Sequence, residues 1–348
     1  RDWDLTIQQE KSDFEVQIAT IMAAADLYDK QTRAEGAAER DISIANGTLQ
    51  VEKALAAVAE WEGLNITYTP VPGGLMNSNW RITVDGKPKR YFMKLPGAGS
   101  ESFIDRSLAN EAARRAGALD IGPAVVLFDP VTGVEVIEFL EEYRACTNGD
   151  LKRPEIPLGI IDLYRVLHSG DKLSVTKTIF DMIDEHLDQV NELGVRLPRD
   201  ADVILAEYGQ AKQAMLASGL DLVACHNDPM PGNILVAPGK PMKLVDYEFA
   251  SNNDRAYELA VMVTEMFYGE QQIMELIEEF YGKAEWSMIS RVQVCSALAD
   301  VKWGLWGCMN HKLSNAWDFD YHKYGAWKLA RARLKMADPR WAFWLQGL

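Results

Sequence analysis

The feature that most constrains the fold of this 348-residue chain is a change of hydrophobic pattern near residue 150. Upstream, from about Ile66, short runs typical of strands alternate with turn signals, and Trp80–Val84 and Tyr91–Leu95 flank Asp85-Gly86 as the strands of a β-hairpin do. A helix over Phe103–Ala116 and two further strands, Ala124–Phe128 and Val134–Phe139, are also predicted. This part of the chain therefore predicts a small sheet with one helix.

Downstream of Leu151 nearly every segment has the helical period of apolar residues. The predicted helices lie at Ile160–Leu167, Ile179–Leu193, Val203–Leu216, Tyr257–Phe267, Gln271–Tyr281, Met288–Lys312 and Phe319–Met336. Short strands interrupt them only at Asn233–Val236 and Met242–Val245. A small β-rich lobe followed by a larger helical lobe is an α+β, two-lobed architecture, and we divide it into residues 47–140 and 141–348.

Residues 1–46 are predicted to be a separate helical extension. Five apolar residues recur there at spacings of four and three, which indicates one helix face. They are Phe14, Ile18, Ile21, Ala25 and Tyr28. This face either packs on its own domain or acts as a dimerisation arm, so the chain could form a homodimer. The turn signal Asn46-Gly47 marks the predicted boundary.

The charge balance narrows the class of partner. The chain carries 36 Lys and Arg against 51 Asp and Glu, a net charge of −15, which disfavours nucleic acid and anionic membrane surfaces and favours a cationic small molecule. We find no stretch of roughly 20 apolar residues that could span a bilayer. The four cysteines show no CxxC pairing. Buried free thiols in a reducing compartment are expected, so we predict a cytoplasmic protein.

The segment from His226 to Val236, followed by Lys243–Phe249, carries the strongest chemical signal. Asp228 and Asn233 lie five residues apart on a predicted loop, where the Asp can accept a hydroxyl proton and the Asn oxygen can bind a hard cation. Asp246, at the end of the next strand, can hold Mg²⁺ across nucleotide phosphates. This pattern follows the catalytic logic of eukaryotic-type kinases, with His226 bracing the loop.

The same segment resembles the aminoglycoside phosphotransferase and choline kinase superfamily. Pro231 and Gly232 precede Asn233, and Asp-Tyr-Glu stands in place of Asp-Phe-Gly. The resemblance covers roughly residues 60–335, and it implies a protein-kinase-like fold that uses ATP and Mg²⁺. Gly73 to Trp80 matches the Gly-Gly-Leu-x-Asn loop of bacterial choline kinases, which implies that Gly74, Asn77 and Ser78 bind phosphates.

The resemblance also implies roles for residues around the nucleotide. Lys94 would hold the α- and β-phosphates and Glu111, in the following helix, would pair with it. Choline kinases often carry Arg at the position of Lys94, so this residue is a mild departure. The segment Glu138 to Leu140 corresponds to the hinge whose backbone holds adenine. Glu248 is expected to assist Asp246 at the metal.

A group of aromatic residues is the candidate acceptor site. Trp303 and Trp306 lie three residues apart on one helix face, and Tyr324 lies on the next helix. Aromatic faces attract a trimethylammonium group, and Glu265 can add a counter-charge. Paired tryptophans at this spacing can also be core residues, but all four positions fall where choline kinases bind their cation. A basic stretch near the C-terminus is predicted to be a solvated helix face; it comprises Lys323, Lys328, Arg331, Arg333 and Lys335.

The main hypothesis is therefore an ATP- and Mg²⁺-dependent kinase that converts choline to phosphocholine. One alternative is the same chemistry on ethanolamine, an aminoglycoside or another small hydroxylated amine. The alternative of a different class is a nucleotide-binding pseudokinase that acts as a scaffold. The joint presence of Lys94, Asp228, Asn233 and Asp246 argues against the scaffold, because a scaffold needs none of them.

Overall fold

The computed structural model describes residues 49, 51–56, 58–71, 77–97, 104–314 and 319–348. The chain divides into two compact units, Arg1–Glu62 and Gly63–Leu348. In the first unit the described residues form helix α1 over residues 51–56 and a 3₁₀ turn over Ala59–Trp61. The predicted apolar face of residues 14–28 and the predicted boundary at residues 46 and 47 lie outside the described residues.

The β-rich lobe opens the second unit with an antiparallel sheet of five strands in the order β1-β2-β3-β5-β4. The strands are β1 (Ile66–Val71), β2 (Asn77–Val84), β3 (Arg90–Pro96), β4 (Val125–Phe128) and β5 (Glu135–Glu138). The predicted hairpin is confirmed: Ile82 pairs with Tyr91 across it, and Gly86 takes the left-handed conformation of its turn at φ +77°. Helix α2 (Arg106–Ala118) begins at Asp105, whose side chain accepts a hydrogen bond from the Leu108 N–H, a standard helix cap.

The larger lobe is mainly helical, as predicted. Its helices are α3 (Glu155–His168), α4 (Ile179–Leu193), α5 (Ala201–Ser218), α6 (Arg255–Glu265), α7 (Glu270–Tyr281), α8 (Trp286–Leu313), α9 (Tyr321–Met336) and α10 (Trp341–Gln346). Strands β6 (Arg144–Ala145), β8 (Ile234–Val236) and β9 (Lys243–Leu244) form one small sheet, and β7 (Leu222–Cys225) and β10 (Ser251–Asp254) form another. Helix α8 lies in the core, with an unbroken buried run over residues 294–310.

The pair β7 and β10 was missed in the sequence, because β10 reads Ser-Asn-Asn-Asp and has no strand-like pattern. All four of its residues are buried. The amide of Asn252 exchanges hydrogen bonds with the backbone of Leu173 at 2.7 and 2.8 Å, and the Asn253 side chain accepts from the Ile179 N–H at 3.0 Å. Buried polar groups are tolerated when they are hydrogen-bonded in this way, so these asparagines anchor the connection between α3 and α4, and the start of α4, to the strand.

Helices α8 and α9 approach each other at backbone contact distance. A Cβ atom added at Gly307 would lie 2.8 Å from the Gly325 backbone, and one added at Gly325 would lie 2.7 Å from the Cys308 amide nitrogen. A side chain at Gly304 would collide with Leu329 at 2.7 Å. Three glycines therefore allow the two helices to touch, and they set the spacing of the aromatic side chains that these helices carry.

The expectation that the basic stretch is a solvated helix face is wrong for three of its five members. Lys328 is fully buried, and Lys335 and Arg331 are partly buried. All three surround Asp300 of α8, which has no exposed surface and receives Arg331 Nε at 2.7 Å. Only Lys323 and Arg333 are exposed. A charged residue in a core needs partners of opposite charge, and the sequence did not reveal that Asp300 would supply them.

Two further predictions from the sequence concern the cysteines and membrane-spanning segments. All four cysteines are buried and free, as predicted. None of the described helices is long and apolar enough to cross a membrane.

Candidate active site

The predicted catalytic loop runs from β7 to β8, and His226 braces it as expected. The backbone N–H of Asp228 donates to His226 Nδ1 at 3.2 Å, so the other ring nitrogen carries the proton and donates to the Val245 carbonyl at 2.8 Å. Burial lowers the pKa of His226. A neutral imidazole with both nitrogens engaged holds the loop against the segment before Asp246 and cannot act as a free base.

Glu258, on α6, is a supporting residue that the sequence analysis missed. Its carboxylate accepts hydrogen bonds from the backbone N–H groups of His226, at 2.5 Å, and Asn227, at 3.0 Å. Burial by itself would raise the pKa of Glu258, but hydrogen bonding and charge from His168 lower it below its usual value. Asn227 has a φ of +67°, and such strain needs support from its surroundings. The available signal was a single acid within the apolar stretch of residues 256–263.

The side chain of Asn233 is hydrogen-bonded to Asp228 in the structure. The Asn233 side-chain amide donates to the Asp228 backbone carbonyl at 2.9 Å and to Asp228 Oδ2 at 3.2 Å. Since the amide nitrogen is turned toward Asp228, the amide oxygen is the atom that can face a cation. Burial raises the pKa of Asp228 to about 7, Lys302 opposes the rise, and the negative charges of Asp246 and Glu265 add to it.

Asp246 forms an ion pair with Lys94, which lies on β3 of the β-rich lobe. Lys94 Nζ is 2.5 Å from Asp246 Oδ1 and 3.8 Å from Glu248 Oε1. Burial favours the neutral lysine, but the nearby carboxylates outweigh it and raise the pKa of Lys94. Burial likewise opposes ionisation of Asp246, but the attraction of Lys94 lowers the Asp246 pKa. Asp246 has a φ of +68°, a strained conformation of the kind found at functional sites.

The predicted pair between Lys94 and Glu111 is wrong. The Glu111 carboxylate instead accepts hydrogen bonds from the Ser174 N–H at 3.1 Å and from Arg115 at 3.1 Å. Successive helix residues point about 100° apart, and it is the preceding residue, Asn110, that faces the sheet. Asn110 binds Glu135 at 3.0 Å, and Glu135 pairs in register with Lys94 and raises its pKa. The acid beside Lys94 thus comes from β5.

Glu248 lies among cations of the protein itself. Its Oε1 accepts from the Asn77 amide at 2.6 Å and from Arg106. This arrangement leaves Glu248 neutralised by Arg106 and Lys94, which does not favour the predicted role in metal binding. Asn77 is turned to Glu248, and Ser78 lies beside it on β2. Gly74 lies outside the described residues.

The predicted hinge follows β5. The N–H groups of Glu138 and Phe139 donate to the carbonyls of Ala124 and Arg90, both at 2.9 Å, and so belong to the sheet. The Glu138 carboxylate pairs with Lys89 at the surface. Leu140 begins a turn in which its carbonyl accepts from the Tyr143 N–H at 3.1 Å. The backbone from Leu140 onward is therefore the part that leaves the sheet.

The predicted acceptor residues Trp303, Trp306 and Tyr324 form one aromatic cluster. The two indole centroids are 5.5 Å apart, and Trp306 is 6.0 Å from Tyr324, both in edge-to-face contact. The indole N–H groups of both tryptophans are buried without a hydrogen-bond partner. Three more aromatic residues complete what we call the aromatic cluster: Phe249, Phe319 and Tyr321. Phe249 follows the Asp246 segment directly, so the cluster adjoins the catalytic loop.

Two charged residues near the cluster differ from expectation. Glu265 contacts Lys328, and Arg331 lies 3.6 Å away, so the predicted counter-charge for an acceptor is already matched by the protein. Lys302, which the sequence analysis did not single out, places Nζ 3.0 Å from the ring centroid of Trp303 and 4.1 Å from that of Phe249. The aromatic cluster therefore encloses the amino group of Lys302, and burial lowers the pKa of this group well below its usual value.

Comparisons with known proteins agree with this geometry. A family model described as choline/ethanolamine kinase matches residues 68–281. Probable choline kinase 2 of Arabidopsis thaliana is 24% identical over 316 residues, which cover 79% of this chain and 88% of that protein. Ethanolamine kinase of Saccharomyces cerevisiae is 24% identical over 265 residues, 63% of this chain and 49% of the yeast protein.

Solved structures agree as well. The crystal structure of a choline/ethanolamine kinase family protein from Mesorhizobium loti matches with a TM-score of 0.74 and 28% identity, covering 86% of this chain and 98% of that one. The predicted two-lobed kinase fold is thereby confirmed. Because the family model spans more than half of the sequence, including the whole catalytic loop, the chain belongs to the choline/ethanolamine kinase family and is an ATP-dependent kinase.

Proposed function

We propose that the chain transfers the γ-phosphoryl group of ATP to the hydroxyl of choline, giving phosphocholine, with Mg²⁺ as the metal. One observation carries this proposal: the carboxyl group of Asp228 is close enough to both groups of residues to feel their charges. Asp246, the partner of Lys94, acts on it, and so do Glu265 and Lys302, of which Lys302 contacts the aromatic cluster. A group in that place can serve the phosphoryl donor and the acceptor at once.

In this proposal Asp228 accepts the proton of the acceptor hydroxyl or orients that hydroxyl toward the phosphorus. A pKa of about 7 suits a group that must take up a proton near neutral pH. Lys94 holds phosphate oxygens. Because the transition state of phosphoryl transfer is loose, positioning and charge neutralisation provide most of the rate and no covalent intermediate is needed.

The donor set fits Mg²⁺. Asn233 and Asp246 offer a neutral and an anionic oxygen, the hard ligands that this ion prefers, and the Val245 N–H donates to the Asn233 carbonyl at 2.9 Å, which ties their segments together. Lys94 Nζ already occupies one oxygen of Asp246, so a cation is accommodated there. When bound, the metal neutralises charge on the phosphates. We leave Glu248 out of the metal site because Arg106 and Asn77 occupy it.

The remaining nucleotide contacts stay a proposal. Gly74, Asn77 and Ser78 would approach the phosphates, and Asn77 would then have to exchange Glu248 for a phosphate oxygen. The backbone from Leu140 onward would hold adenine, since the N–H groups of Glu138 and Phe139 are already used.

The aromatic cluster supports an acceptor with an apolar or cationic head. Indole faces attract a quaternary ammonium group, which has no hydrogen to donate. The two unpartnered indole N–H groups of Trp303 and Trp306 fit a site that a bound molecule completes. The relatives named above include both a choline kinase and an ethanolamine kinase, so ethanolamine is the acceptor to compare with choline.

A coupled assay that monitors ADP release, run with and without each acceptor, tests the proposal. We expect turnover that depends on choline and on Mg²⁺. Trp303→Ala or Trp306→Ala should raise the KM for choline roughly tenfold or more, because a desolvated cation–π contact contributes about 2 kcal/mol. The KM for ATP should change little. Trp344→Ala, which removes a buried indole from α10, is the matched control for loss of stability.

Two outcomes would contradict the proposal. If both Trp303→Ala and Trp306→Ala weaken ATP and choline equally, the indoles are core residues and the acceptor binds elsewhere. If ATP binds but no amino alcohol stimulates ADP release, the site does not phosphorylate this class of acceptor.

A further inference from the structure

Lys328 is a buried cation on α9 that the proposed mechanism does not use. It lies one helical turn after Tyr324 and is fully buried, with its Nζ atom 5.2 Å from the centroid of the Tyr324 ring. It contacts the carboxylate of Glu265 and lies 3.8 Å from Asp300 Oδ1. A buried ammonium group needs partners of opposite charge, and these two carboxylates supply them. Lys328 therefore places a positive charge beside the aromatic cluster.

Glu265 is the carboxylate that connects this charge with the acceptor site. Burial raises the pKa of Asp228 and that of Tyr324, and the negative charge of Glu265 adds to the rise in both. Glu265 is thus within electrostatic reach of the catalytic loop and of the aromatic cluster. Its carboxylate contacts Lys328, and Arg331 lies 3.6 Å away, so the negative charge that would attract a cationic acceptor is shared with cations of the protein.

The two cations do not share Glu265 equally. Arg331 is directed at Asp300: its Nε donates to Asp300 Oδ2 at 2.7 Å, and its Nη2 contacts the other oxygen. Lys328 has the opposite preference, since it contacts Glu265 and is 3.8 Å from Asp300. Lys328 is therefore the main neutralising partner of Glu265.

We propose that Lys328 is a specificity-determining residue, which neutralises Glu265 and so limits how strongly the acceptor site prefers a cation to an uncharged alcohol of the same shape. This inference rests on the proposed function. With Glu265 paired, the attraction for choline comes mainly from the indole faces of Trp303 and Trp306. Without the charge of Lys328, the carboxylate would add its own attraction to theirs.

Lys328→Met tests the inference directly. Methionine is unbranched, like lysine, and adapts to irregular apolar surroundings, so it removes the charge and keeps most of the packing. Lys328→Leu is a second uncharged variant in case methionine does not fold. Lys335→Met is the matched control, because it also removes a basic side chain of α9 from this network, but one that pairs with Asp300 at 3.1 Å. A double variant, Lys328→Met with Glu265→Gln, removes both charges of the pair.

The measurement is kcat/KM for choline divided by kcat/KM for 3,3-dimethylbutanol, the uncharged isostere of choline. At an effective dielectric constant of about 20, one uncompensated charge at about 10 Å changes affinity roughly tenfold, and we expect a rise of this size in both single Lys328 variants. The ratio should stay within about threefold of the parent in the double variant and in Lys335→Met. The ratio of choline to ethanolamine should also stay within about threefold, because both acceptors carry one positive charge.

A choline to 3,3-dimethylbutanol ratio within about threefold of the parent in the folded Lys328 variants overturns the inference. A rise that persists in the double variant also overturns it, since the charge of Glu265 would not be the cause, and so does an equal rise in Lys335→Met. If the parent and the variants bind ATP but phosphorylate none of the three alcohols, the proposed function fails. Calorimetric titrations of the full chains with choline then decide the role of Lys328 by themselves: roughly tenfold tighter binding in the single variants supports it, and equal binding refutes it.

Discussion

Exchange of Asp228 for asparagine should reduce activity and increase stability at the same time. The amide keeps the size of the side chain, and its oxygen can still accept from the Asn233 amide, now 3.2 Å from Asp228 Oδ2. Only the charge and the ability to accept a proton are lost. Turnover should fall by at least roughly a hundredfold, the scale of a lost general base, while ATP binding persists.

The gain in stability can be worked out from the raised pKa. One pKa unit corresponds to about 1.4 kcal/mol, so the rise from 3.8 to about 7 gives a ceiling of about 4 kcal/mol for the cost of the charge. This rise already includes the opposing effect of Lys302, but the amide of the variant must itself be buried, and that cost reduces the gain. We therefore expect a net gain of about 1–3 kcal/mol, or roughly 2–6 °C in Tm at about 2 °C per kcal/mol.

The gain should depend on pH in a defined direction. An acid whose pKa is higher in the folded protein binds its proton more tightly there, so the parent loses stability as pH rises between about 4 and about 7. The advantage of Asp228→Asn should be absent below about pH 4, grow through this interval and be complete above about pH 7. Thermal unfolding without nucleotide, at pH 5, 6, 7 and 8, measures it.

Asp246→Asn is the control with the opposite sign. Lys94 lowers the pKa of Asp246, so removal of this charge should destabilise the protein at neutral pH. Asparagine tolerates the left-handed conformation of this position at least as well as aspartate, and backbone strain therefore does not confuse the comparison. A fall in Tm for Asp228→Asn, or turnover within a few-fold of the parent, would refute the reasoning about the catalytic loop.

Three further perturbations test other parts of the site. Asp246→Ala should abolish Mg²⁺-dependent nucleotide binding, and an unchanged ATP affinity in titrations with Mg²⁺ would place the metal elsewhere. Glu258→Gln should lower kcat at least roughly tenfold with little effect on either KM, because it replaces the carboxylate that accepts hydrogen bonds from the His226 and Asn227 N–H groups by a weaker, neutral acceptor. A change of KM alone in steady-state kinetics would contradict this. Asp300→Asn should destabilise the protein by about 3–5 kcal/mol in urea unfolding, since it leaves three basic side chains of α9 without their buried partner, and a change below about 1 kcal/mol would disprove that role.

The sequence revealed those features that rest on local pattern or on close spacing. The hairpin of β2 and β3 follows from alternating apolar residues around Asp-Gly, and the helices of the larger lobe follow from their apolar period. Asp228, Asn233 and Asp246 were found because a short loop and a short strand separate them. Contacts within some twenty residues of chain are predictable in this way.

Contacts between distant segments were not predictable. Glu135 lies beside Lys94 only because of the sheet register, and Lys94 pairs with Asp246, 152 residues away. The rotation of α2 turns Glu111 away from the sheet, to Ser174 and Arg115. Strand β10 has no apolar pattern because its asparagines are satisfied by segments about 75 residues away. The sequence analysis did not single out Lys302, and only the packing of α8 showed that its amino group is enclosed.

The glycine contact between α8 and α9 limits how this enzyme can acquire a new acceptor. Gly307 and Gly325 leave no room for even a methyl group, so the two helices cannot be moved apart in small steps without losing their packing. Single substitutions therefore cannot enlarge the proposed acceptor site by moving α8 and α9 apart. Diversification should proceed instead by exchanging the side chains that project from a fixed frame, with Lys302 and the two indoles as the adjustable positions. A directed-evolution library confined to those positions would sample most of the specificity open to this scaffold.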